Sequence, residues 1–172
     1  MVTGRQIQLI KQVGEYLVTA ELSRRELIAA SFSGNVPGFD ILAVNADNNL
    51  KTIQVKTTTK NRGWLLDAQD YLDISISDEN MQMIKGKREL SNREIIFCFV
   101  NLKSFGKKSS LTERDEFYII PVKELQNIVY NKYFDYLKKI GGSRPKNPKS
   151  TNKQITPAEI ADYKEKWNYL SD

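Results

Sequence analysis

The chain has 172 residues, 40% apolar and 27% charged, with a formal net charge of +5, which is enough for one domain around a single sizeable core. No apolar run approaches the ~18 residues that a membrane span needs. Histidine is absent, which excludes a Ser–His or Cys–His dyad and a His-ligated metal and leaves carboxylates, amides, lysines, hydroxyls or an oxygen-liking cation.

Residues 3 to about 23 are predicted to form a helix, because Ile7, Ile10, Gly14, Leu17 and Glu21 or Leu22 follow helical spacing and Thr3 is a candidate cap. "ELIAASFSG" reads as a short strand closed by Gly34. A hairpin follows, with arms near 39–45 and 50–58 around the turn formers of "NADNN". Alternation of Leu72, Ile74 and Ile76 predicts a strand, and "DENMQMIKGKREL" the start of a short helix. "REIIFCFVNL" is a continuous apolar run rich in β-branched and aromatic residues, so it reads as a buried central strand with Cys98 in the core. "EFYIIP" is a further strand, and "VKELQNIVYNKYFDYLKKI" a helix ended by Gly141 and Gly142. The basic stretch 141–155 reads as a loop, and Thr156-Pro157 as the start of a last helix over about 156–170. Trp64 is expected to cap the core, and Trp167 and Tyr169 to dock that helix, with base stacking as their alternative role. The order predicts one α/β domain over 1–172, a mixed sheet flanked by helices.

The hairpin carries polar residues that do not fit an ordinary apolar face. Side chains two apart on a strand share a face, so Gln54 and Lys56 lie together, opposite Ile53 and Val55. Folded symmetrically about Asp47, the hairpin sets Asp40 across from Gln54, with Cβ atoms roughly 5 Å apart and Lys56 diagonally beyond. Leu42 and Val44 share that face, which argues that it is covered and that the polar trio has a use. A carboxylate and an amide carbonyl are hard oxygen ligands suited to Mg²⁺ or Mn²⁺, and the Val55 carbonyl could complete the set. An adjacent ammonium could orient a metal-bound water or offset charge on a phosphate. The plainer alternatives are a strand-opening acid and a solvated sheet face.

The pattern resembles the PD-(D/E)XK, or restriction-endonuclease-like, nuclease superfamily. "PGFD" carries Pro37 and Asp40 as a looser form of the family's Pro-Asp, and "QVK" puts Gln54 where the family usually has an acid, as in its Gln-x-Lys variants. The family often adds a glutamate from the first helix, and "VGEYLVTAEL" offers Glu15 for it, with Glu21 second. The resemblance, over roughly residues 10 to 125, implies a restriction-endonuclease-like mixed sheet, DNA as substrate and a divalent metal held by Asp40, Gln54, Val55 and Glu15, with Lys56 catalytic.

The pI near 9.2 fits a polyanionic partner, and Lys107, Lys108, Arg144 and Lys146 are candidate phosphate contacts, as are Lys149 and Lys153. One cysteine cannot form an intrachain disulfide, which fits a cytoplasmic protein; the N-terminal residues lack signal-peptide features. The expectation is a Mg²⁺- or Mn²⁺-dependent DNA endonuclease, with specificity from a homodimer, a partner subunit or the C-terminal region, and no membrane role. The rivals are a catalytically inactive nuclease-fold module binding DNA or protein, and an interaction protein whose hairpin merely mimics the motif.

Overall fold

The computed structural model describes residues 3–32, 38–59, 62–106 and 113–171. In chain order these form α1 (Gly4–Arg24), β1 (Ile28–Ser31), β2 (Ile41–Val44), β3 (Leu50–Thr59), β4 (Trp64–Asp67), β5 (Leu72–Ile76), β6 (Gln82–Lys87), β7 (Ile96–Leu102), β8 (Glu116–Pro121), α2 (Val122–Ile140), β9 (Asn152–Ile155) and α3 (Asn168–Ser171), with 3₁₀ turns at Ala68–Asp70 and Pro157–Tyr163. Contacts divide them into two compact units: residues 1–64, 94–122 and 156–172, and residues 65–93 and 123–155. Among the described residues no helix is long and apolar enough to cross a membrane.

The first unit holds a five-stranded sheet in the order β1-β2-β3-β7-β8. β3 runs antiparallel to β2 and parallel to β7, so the sheet is mixed, as expected. Every residue of β7 is buried, which is why that segment reads as an unbroken apolar run: a central strand covered on both faces has no polar alternation. Across the hairpin Ile41 pairs with Ile53 and Val44 with Leu50, the register that symmetry about Asp47 predicts. The turn is held by Asn45, whose Oδ1 accepts from the N–H groups of Asp47 and Asn49.

α1 starts at a capping box in which Thr3 and Gln6 satisfy each other's backbone N–H. Its buried residues Gly14, Val18 and Leu22 are four apart and form one face. Val18 and Leu22 join a core with Ile41, Ile53 and Val55, each such side chain contributing about 1.5–3 kcal/mol. Trp64, expected to cap the core, is instead buried on the other sheet face, donating through Nε1 to the Val100 carbonyl at 3.2 Å beside Phe99 and Tyr118, neither of which joins that core.

The single helix expected over 156–170 does not form. Thr156 and Pro157 start a 3₁₀ segment kinked at Ile160; the chain then extends, Lys164 bridges Tyr118, and Glu165 turns at φ 56° before α3. Burying Ile160, Trp167 and Leu170 and pairing with β8 outweighs local helix preference. Trp167 does dock, against Phe117 with Arg25 over its ring.

The second unit contains the pairs β4-β9 and β5-β6 together with α2. Residues 82–87, read as the start of a helix, are instead β6, paired with β5 through Ile74–Ile84. The buried Gln82 decides this: its amide donates to the carbonyls of Pro148 and Ser150, and its Oε1 accepts from Tyr133. The stretch 141–155, read as a loop, ends in β9. Gly141 and Gly142 do end α2, at φ 65° and 81°, where a side chain would be strained.

Candidate functional site

Asp40 lies at a bend just before β2. The ladder is irregular there. The Asp40 N–H donates to Ile53 O at 2.8 Å, one residue short of Gln54, and Asp40 Oδ2 accepts the Val55 N–H at 2.8 Å. The carboxylate is therefore tied into the edge of β3 rather than set face to face with the Gln54 side chain. Val55's N–H and C=O leave the strand on the same side, so its carbonyl faces that edge too, past the end of β2.

α1 brings the second carboxylate. Gly14 makes the approach possible: a Cβ there would lie 1.9 Å from Thr57 Oγ1 and 2.9 Å from Thr57 Cβ. The next residue, Glu15, has a side chain only 14% exposed, and Asp40's is 16% exposed. Lys11, one turn earlier, places Nζ 3.6 Å from Glu15 Oε1 and 3.5 Å from Asp40 Oδ1. Burial raises the Glu15 carboxyl above its ordinary value, Asp40's charge adds to this, and Lys11 opposes it. Glu21, the second candidate, is instead paired with Arg24 and Arg25.

Gln54 and Lys56 are half-buried on β3. Among the described residues neither side chain has a hydrogen-bond or ion-pair partner. Both line a cleft of about 450 Å³ with Asp40, Val55, Lys11 and Arg62, walled by Ile7 and Ile10 of α1. The hairpin trio thus lines one cleft, though Asp40 reaches it from the strand edge and not from the position opposite Gln54 that the spacing predicts. Glu15 does not line the cleft itself and is connected to it through Lys11.

The oxygens available are two carboxylates, the Gln54 amide and the Val55 carbonyl. No group of three or more His, Cys, Asp or Glu side chains converges among the described residues. Hard oxygens with few acids match a small divalent ion that keeps several waters, so the donor set fits Mg²⁺ or Mn²⁺. Opposing it, Lys11, Lys56 and Arg62 set three positive charges in the cleft against the two carboxylates.

Of the proposed phosphate contacts, Arg144 and Lys146 are not in this cleft's lining. Lys107 and Lys108, like Pro37, lie outside the described residues. Arg144 is engaged inside the second unit, donating to the carbonyls of Ser150 and Asn152 at 2.7 and 2.9 Å over the Tyr136 ring; Lys146 is exposed there. Sequence reading missed Lys11 and Arg62. Lys11 was findable, since four residues before Glu15 is one helical turn; Arg62 follows β3 with no local signal.

No protein-family model matches the chain, and no curated protein matches its sequence. Among solved structures it is similar to a bacterial homing endonuclease, I-Ssp6803I, at 12% identity and a TM-score of 0.49, over 95% of this chain and 92% of that one.

Proposed function

We propose that this chain is a divalent-metal-dependent DNA nuclease of the PD-(D/E)XK kind. The observation that carries the reading is the meeting of Asp40, Gln54, Val55 and Lys56 in one cleft, with Gln54 and Lys56 lacking a side-chain partner among the described residues. A half-buried amine and amide without a protein partner are costly unless a ligand or water satisfies them. Asp40, Glu15, Gln54 and the Val55 carbonyl would hold Mg²⁺ or Mn²⁺. When bound, that ion supplies Lewis-acid polarisation of a phosphate and a more acidic water.

The chain's own residues do the rest. Asp40 is pre-positioned by Val55, so little reorganisation is needed on binding. Lys56 presents an ammonium where it can orient the attacking water and offset negative charge building on the phosphate. Ile7 and Ile10 shield one wall of the cleft. The chain's net +5 assists a polyanion's approach.

The test is cleavage of plasmid and single-stranded DNA with Mg²⁺ or Mn²⁺. Lys56→Ala and Asp40→Ala are each expected to lower the rate by about 10² or more with unchanged far-UV dichroism; wild-type rates in both would sink the reading. One observation favours a second reading, a nuclease-fold module that binds DNA without turnover: Gln54 stands in the acid position and the cleft's cations, Lys11, Lys56 and Arg62, outnumber the carboxylates. Saturable DNA binding with no cleavage under either ion would select it.

A further inference from the structure

We infer that Lys11 is a resident counter-cation of this site, holding the space between Glu15 and Asp40 that a divalent ion must take, so that ion entry displaces it. The inference rests on the metal-site reading above and adds to it the residue that governs access. One ammonium reaches one oxygen of each carboxylate, at 3.6 and 3.5 Å, and so sits in the attractive region between two negative charges.

Helix stability does not explain this placement. A lysine four residues before a glutamate is the weaker orientation of a helical ion pair, and a lysine 56% exposed contributes little through a surface pair. Asp40, moreover, belongs to a different element from Lys11. The lysine links α1 to the mouth of the hairpin by charge alone.

The geometry also allows exchange. Asp40 Oδ2 stays bound to the Val55 N–H while only Oδ1 meets the lysine, so withdrawing Lys11 leaves the carboxylate in place. Lys11 lines the same cleft as Lys56, and its flexible four-carbon stem can carry the charge from the carboxylates to a phosphate in that cleft. A polyanion that takes up the lysine therefore favours ion binding, and by linkage the ion favours the polyanion.

The experiment is calorimetric titration with Mn²⁺, without DNA, of the full chain and its Lys11→Met and Lys11→Arg variants. Lys11→Met is expected to bind Mn²⁺ about tenfold more tightly, since removing a unit charge a few ångströms from a dication is worth about that much in a screened surface site. Lys11→Arg, which keeps the charge, is expected to stay near wild type. Unchanged or weaker binding in Lys11→Met, or equal tightening in Lys11→Arg, overturns the role of Lys11 while leaving the metal site standing. Absence of saturable binding in wild type and variants alike overturns both. The position is exposed on a helix; should Lys11→Met misfold, Lys11→Gln gives the same readout.

Discussion

Glu15 and Glu116 are both held beside lysines, and the fold treats them oppositely. Glu116 is pushed up by burial but pulled further down by hydrogen bonds from Lys103, Lys164 and Asn101, which leave it at about 2 against an ordinary 4.5. Glu15 is raised, by burial and then by Asp40. A lowered carboxyl contributes stability that is complete above the unfolded value of 4.5 and is lost as pH falls through about 2. Glu116→Gln is therefore expected to lower the melting temperature at pH 7, with the deficit closing between about 4.5 and 2. A raised carboxyl has the reverse sign: no penalty below the unfolded value, and a full one once pH has risen through the folded value. In chelator, Glu15→Gln is expected to melt higher than wild type at pH 7, with the gain vanishing below about 4.5. A lower melting temperature at pH 7 would mean that Glu15 is a structural residue.

α1 and β3 owe their closeness to one glycine. Helical periodicity shows Gly14 on the buried face, but not that Thr57 fills the space its missing Cβ leaves. Gly14→Ala would drive a methyl into Thr57, an overpacking that costs about 1–3 kcal/mol and moves Lys11 and Glu15 away from Asp40. Chemical denaturation should show the loss, and Mn²⁺ affinity should fall with it; Thr57→Ala in the same chain should restore part of both. A variant as stable as wild type would show that the helix can shift freely. The same element-scale contacts explain where local reading failed. Gln82 reads as a helix-compatible polar residue until its amide meets two carbonyls of residues 148–150, and the 156–170 helix gives way once Lys164 pairs with β8.

Across the whole molecule, neither compact unit is a continuous stretch of chain: the backbone passes between them four times, after residues 64, 93, 122 and 155. We retain the one-domain reading as a proposal, because neither unit can be cut out as a single segment. Calorimetry is expected to give one transition with equal calorimetric and van't Hoff enthalpies; two resolved transitions would make the units separate domains. The sequence by itself determined the central strand, the hairpin register and hence the sharing of one face by Gln54 and Lys56. Those features depend on alternation, apolar runs and turn formers, which act between near neighbours. Only the tertiary structure decided that Asp40 turns out of the ladder to Val55, that Gly14 seats α1 on Thr57, and that Lys11 closes the space between Asp40 and Glu15. The contacts of Asp40 with Val55, of Gly14 with Thr57 and of Lys11 with Asp40 each join different elements, through packing and charge that no local pattern encodes.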